Sequence, residues 1–124
     1  MAEFNRNVYM TEKILFYCEK IEQVVLRFGN SMNAFASDYD FRSVCAMYIL
    51  QIGELANTLT EEFRQKYNQV PWRLIRGMRN VFAHDYHHLN MEETWKTIKN
   101  DIPILRKYCE KILQEENDDN SDLL

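Results

Sequence analysis

Ile14, Tyr17, Cys18, Ile21, Val24, Val25 and Phe28 recur at three- and four-residue steps, which places them on one face of a helix. Thr11 is the expected N-cap of that helix. Gly29 is its expected stop, because glycine accepts the backbone that ends helices. Residues 30–36 lose the period and read as a loop or short turn. Asp38 then caps a second helix whose apolar stripe is Phe41, Val44, Cys45, Tyr48, Ile49, Ile52, Leu55, Ala56 and Leu59. Gly53 falls inside that stripe, where it costs up to about 1 kcal/mol against alanine. Its presence there predicts close approach of a neighbouring helix.

Thr60-Glu61-Glu62-Phe63 reads as a fresh capped turn or a continuation, and Asn68-Gln69-Val70 breaks the pattern. Pro71 suits the first position of a third helix, where its missing N–H would have no partner anyway. Trp72, Ile75, Met78 or Arg79, and Phe82 follow at helical steps, and residues 85–90 read as a polar loop. From Met91 onward Trp95, Ile98, Ile102, Leu105, Tyr108, Cys109 and Ile112 keep core spacing. Pro103 should bend or restart that element near Asp101. The expected architecture is all-α, a four- to five-helix bundle over residues 1–116, with an acidic disordered tail at 117–124.

Composition narrows the choice further. A chain of 124 residues suits one domain, and 3 Gly with 2 Pro are too few for the tight turns of a sandwich or barrel. No apolar run nears the ~20 residues of a membrane span, and the first residues lack a signal peptide's apolar stretch. Cys18, Cys45 and Cys109 are odd in number, widely spaced and without a C-x-x-C. Reduced thiols and a cytoplasmic location are therefore expected, with no membrane association. The net charge of -4 argues against holding nucleic acid by bulk electrostatics, and no DNA partner is expected. The charge is uneven, however. Arg64, Lys66, Arg73, Arg76 and Arg79 face Asp85 alone in the middle, while Glu115, Glu116, Asp118, Asp119 and Asp122 crowd the end. An anionic ligand could be held at the middle.

The chemistry-bearing stretch is Arg79-Asn80-Val81-Phe82-Ala83-His84-Asp85-Tyr86. Metal-free RNA cleavage needs a group that titrates near neutral pH and a permanent cation. An imidazole can take the 2′-hydroxyl proton or protonate the leaving oxygen. A guanidinium can grip a phosphate through two parallel hydrogen bonds and favour its transition-state charge. Asn80 could add a neutral donor or acceptor. Geometry restrains this reading, since a five-residue step sets Arg79 and His84 about 140° apart around a regular helix. They meet one ligand only if the helix ends between them or two subunits share a site. From spacing alone, a solvated or capping histidine at a helix end is the commoner role.

The run Arg79 to Tyr86 resembles the R-x4-H-x-Y signature of HepT-like proteins in the HEPN superfamily. Ile52-Gly53-Glu54 and Val70-Pro71-Trp72-Arg73 before it, and Trp95 and Asp101-Ile102-Pro103 after it, resemble recurring features of that family in the same order. The resemblance runs from about Asp38 to Ile112, and residues before Arg27 fit only as an amphipathic helix. It implies a helical bundle forming a two-fold homodimer, with the motifs of both subunits lining a cleft. It implies a metal-independent endoribonuclease, the toxin of a toxin–antitoxin pair, with RNA as substrate and no cofactor. The antitoxin would be a minimal nucleotidyltransferase that modifies the motif tyrosine with AMP. Arg79 and His84 would then be catalytic, Asn80 supporting, and Tyr86 the AMP acceptor.

Other readings stand beside this one. Arg73, Arg76 and Arg79 step by three, as an RNA-backbone track or as an ordinary solvated face would. His84, His87 and His88 have spacings that could hold a divalent metal, yet no H-E-x-x-H is present and no metal is expected. His87 and His88 read instead as exposed or RNA-contacting. Glu54 could face the cleft as an acidic partner of Arg79 or Arg76. The functional alternative is a non-enzymatic helical dimer that partners a nucleotidyltransferase and presents its substrate.

Overall fold

The computed structural model describes residues 4–84, 88 and 90–122, with side chains described for 4–79, 88 and 90–119. The chain forms α1 (Arg6–Phe28), α2 (Met32–Ser37), α3 (Tyr39–Thr58), α4 (Glu61–Lys66), α5 (Trp72–His84) and α6 (Met91–Lys96). A single wide turn of π-helix, Thr97–Asp101, then joins α6 to α7 (Ile102–Asp122) without a break. The architecture is all-α, and no strand occurs among the described residues. Four long elements (α1, α3, α5 and the continuous α6–α7 rod) carry the bundle, while α2 and α4 are connectors of 6 residues each.

The start of α1 differs from the expectation. Asn5, not Thr11, is the N-cap: its side chain accepts from the Val8 N–H, and Arg6 to Met10 are helical. Thr11 is fully buried inside the helix, and its hydroxyl donates to the Asn7 carbonyl at 2.8 Å. That bond within the helix lets a hydroxyl sit in the core without a loss. Residues 32–37 are helical rather than loop, started by the Ser31 hydroxyl, which accepts from Ala34 N–H. The caps at Asp38 and Thr60 are as expected. Asp38 accepts from the Asp40 and Phe41 amides, and Thr60 from Phe63. Asn7 locks onto Thr60 by two 3.0 Å bonds, one to its hydroxyl and one from its amide, tying the start of α1 to the turn before α4.

α3 is the central element, packing on α1 by one side and on α5 by another, while α7 closes against α1. The core is continuous: Ile14, Cys18 and Ile21 from α1, Phe41, Cys45, Ile49 and Ile52 from α3, and Ile98, Ile102 and Cys109 from the last rod. Phe35 of α2 meets Phe41 edge-on at 5.3 Å and Trp95 at 5.4 Å, so the short connector fills the gap under α6. Trp72 is buried at the start of α5, and its indole N–H donates to the Tyr67 carbonyl at 3.0 Å. Pro71 stands just before that helix, and its carbonyl receives the Leu74 and Ile75 amides.

The irregularity near Pro103 takes a definite form. The Ile102 N–H reaches back five residues to the Thr97 carbonyl, which widens one turn. Pro103 has no N–H to give, so the helix forfeits one bond just past that turn. Beyond it α7 continues through Asp122, into the stretch expected to be a disordered tail. Side-chain ties accompany that continuation: Lys66 contacts Glu116 at 2.9 Å and Asp119 at 3.3 Å, the Tyr67 hydroxyl donates to Glu116, and Gln114 donates to Asp118. The acidic residues near the end of the chain thus meet the basic end of α4.

Candidate active site

The site is built on the contact between α3 and α5. A Cβ added at Gly53 would lie 2.6 Å from the Arg79 Cβ, closer than side chains tolerate, with the Arg79 Cα and N at 3.4 Å. The glycine is what lets the two backbones approach at this level, as its place in an apolar stripe predicts. The next residue, Glu54, pairs with the Nε of Arg79. One turn further along, Asn57 Oδ1 accepts from the Nε of Arg76 at 3.2 Å. Two residues three apart on α3 thus meet two residues three apart on α5, running in opposite directions.

The C-terminal end of α3 receives a third arginine. Arg64 of α4 donates to the carbonyls of Ala56, at 3.3 Å, and Leu59. It satisfies carbonyls that the helix end would otherwise leave without partners. Arg64 is therefore committed to structure, and the arginines of α5 stand at the surface, Arg79 half-exposed beside Glu54.

The other flank of α5 is different. A groove of about 740 Å³ runs between α5 and the α6–α7 rod, floored by Ile75, Ile102 and Leu105 and walled by Leu74, Met78, Ile104 and Tyr108. Leu74 and Ile104 are strongly exposed on it. Arg73 and His88 line its polar margin, with Glu93 and Asp101 across. The Arg73–Arg76–Arg79 stripe therefore divides: Arg76 and Arg79 turn to α3, and Arg73 turns to the groove.

Of the residues expected at the site, Arg79 and Arg76 are brought to one flank of α5, while Arg73 and His88 share the other. Asn80 and His84 lie on α5 by their backbone, and their side chains are outside the described set. Tyr86 and His87 lie outside the described residues. Glu54 takes the arginine-partner role considered for it. Asn57 escaped the sequence reading, although its position three residues after Glu54 matches the Arg76–Arg79 step. Among the described residues no group of three His, Cys, Asp or Glu side chains gathers as a metal site would require. No helix of the described residues is long and apolar enough to cross a membrane. The three thiols are free and buried, and burial pushes those of Cys45 and Cys109 up to about 12 and that of Cys18 higher still, far from reactive thiolates.

With this geometry in hand, comparison with known proteins is decisive about class. Residues 14–112 match the family described as Ribonuclease HepT-like. The chain belongs to the HepT-like ribonuclease family. It is 37% identical over 105 residues to a protein of Caldanaerobacter subterraneus subsp. tengcongensis named "Putative RNase TTE0752", covering 85% of this chain and 92% of that one. A protein of Methanocaldococcus jannaschii with the same kind of name is 32% identical over 101 residues, covering 78% of this chain and 84% of that one. A "Probable ribonuclease HepT" of Thermococcus cleftensis is 34% identical over 61 residues, 49% of this chain and 56% of that one. No solved structure matches significantly.

Proposed function

We propose that this chain is a metal-independent endoribonuclease, the toxin of a toxin–antitoxin pair. The observation that carries the reading is Arg79, held where α3 and α5 approach closely at Gly53, inside the segment that matches the family. The reaction is attack of an RNA 2′-hydroxyl on the adjacent phosphorus. The new P–O bond closes a 2′,3′-cyclic phosphate as the bond to the 5′-oxygen breaks. His84 exchanges protons with the attacking or leaving oxygen. Arg79 offers fixed positive charge to the phosphate as it gains negative charge, with Asn80 in support. Arg73, Arg76, His87 and His88 extend the contact along the RNA.

A five-residue step sets two positions about 140° apart around a regular helix, so the reading includes a two-fold homodimer that completes each site with a neighbouring subunit's motif. Tyr86 is the acceptor of AMP from a nucleotidyltransferase antitoxin. An adenylyl group two residues from His84 brings bulk and negative charge to the place a phosphate must occupy.

The test is cleavage of RNA by the purified protein in the presence of chelator. Activity should persist in chelator and vanish in Arg79→Ala and His84→Ala, both still folded; survival in either variant overturns the assignment. Tyr86→Phe should block AMP addition by the cognate transferase, read as mass, and leave cleavage largely intact. The same 140° divergence favours one other reading, a non-enzymatic dimer that partners the transferase. A folded wild type that binds the transferase tightly and cleaves nothing would establish it.

A further inference from the structure

We propose that Gly53 and Glu54 form a two-point mount for Arg79, in which Glu54 is the positioning residue that aims the guanidinium at the scissile phosphate. The inference rests on the ribonuclease reading and names a residue that reading leaves out. Consecutive residues of α3 meet one side chain at two levels: Gly53 admits its base close to α3, and Glu54 holds its guanidinium. At the base, the bare Cα of Gly53 lies so near Arg79 that any side chain there would collide with its Cβ at 2.6 Å. At the tip, the Glu54 carboxylate accepts from Nε. An arginine has several freely turning bonds, and a carboxylate held at Nε removes part of that freedom before substrate arrives.

The choice of Nε matters. A carboxylate at that nitrogen sets the plane of the guanidinium and so the direction of its terminal nitrogens, which are the ones suited to two parallel bonds with a phosphate. Arg76 is held in the same manner, Nε to Asn57, but by a neutral amide. Of these two arginines of α5, Arg79 is the one held by a charged group. Both partners of the Glu54–Arg79 pair are nearly half-exposed, at 49% and 44%, and an exposed ion pair adds little to folding. A contact worth little to the fold, yet set beside the close helix approach at Gly53, has its consequence in orientation.

The experiment compares wild type, Arg79→Ala, Glu54→Ala and Glu54→Gln on one RNA, with kcat and KM separated and thermal midpoints recorded. Glu54→Ala should lower kcat about 10- to 100-fold while KM stays within about threefold, as expected when a group is misaimed but still charged. Glu54→Gln, whose amide oxygen can still accept from Nε, should recover most of that loss. The thermal midpoints of both should match wild type. In a ¹⁵N spectrum, the Nε–H signal that Arg79→Ala removes should shift in Glu54→Ala and shift less in Glu54→Gln.

Wild-type kcat in Glu54→Ala beside an inactive Arg79→Ala overturns this inference alone. So does a lowered KM with a raised kcat in Glu54→Ala, because Glu54 would then compete with the phosphate for Arg79. A kcat loss that only tracks a lowered thermal midpoint, with no recovery in Glu54→Gln, also overturns it. A wild type that cleaves no RNA, or an Arg79→Ala with full activity, overturns the ribonuclease reading and this inference with it.

Discussion

Two glycines of this chain sit in helices, and their surroundings give opposite signs to the same substitution. Alanine in place of glycine within a helix gains roughly 0.5–1 kcal/mol from backbone entropy. At Gly77 the added methyl meets nothing within 4 Å, so Gly77→Ala should raise stability by about that amount. At Gly53 the methyl meets the Arg79 Cβ, an atom fixed to the backbone, and the helices must move apart. Overpacking of this kind costs about 1–3 kcal/mol, so the contact outweighs the entropy and Gly53→Ala should destabilise. Urea midpoints of the two variants, measured side by side, check both signs; a Gly53→Ala protein as stable as wild type would contradict the close contact. Gly53 and Glu54 were readable in the sequence because a helix face is a local property: a glycine in an apolar stripe and an acid beside it need only a partner helix. Asn57 was not readable, since a neutral amide acquires meaning only when Arg76 is seen opposite it.

At the scale of elements, the chain announces its helices where a cap and an apolar period coincide. Asp38 and Thr60 are such cases. Asp38 receives two amides, at 3.0 and 3.2 Å, and stands at the junction where α2 stops and α3 starts. Asp38→Ala should therefore cost about 1 kcal/mol, the usual value of an N-cap, read as a lowered urea midpoint. Asp38→Asn, which keeps an accepting oxygen, should lose far less. Thr11 misled for a physical reason: it has an N-cap's chemistry but uses its hydroxyl within the helix, and the real cap at Asn5 precedes a turn with little apolar period. α2 has only 6 residues, too few for periodicity to register, and depends on Phe35 reaching Phe41 and Trp95. The wide turn at 97–101 was visible only as a proline. Its five-residue bond is a matter of register that composition does not encode.

At the scale of the molecule, alkaline pH should be the weak side of the fold. Burial holds the Cys45 and Cys109 thiols protonated up to about 12, against an ordinary value of 9.0, and raises Cys18 further. Burial, with the bond to Glu116, likewise pushes Tyr67 from 10.0 up to about 12. Each of these groups binds its proton more tightly folded than unfolded. Their contribution is complete below the unfolded values and is lost as pH rises through the folded ones. Urea midpoints should stay flat to about pH 7.5, roughly one unit below the pKa of an unfolded thiol, and then fall steadily toward pH 12. A midpoint that rises between pH 9 and 11 would contradict the burial of these groups.

The bundle character was legible from patterning, since an apolar stripe every three to four residues has few other solutions. The division of the arginine stripe between two flanks of α5 was not, because it depends on where α3 and the α6–α7 rod lie. The placement of the thiols has one more consequence. Cys18, Cys45 and Cys109 belong to α1, α3 and α7, three of the four long elements around the core. A dye that captures sulfur can reach each only when its own helix lifts away. Three separate labelling rates would reveal a bundle that peels rod by rod, and a single shared rate would reveal one that opens all at once.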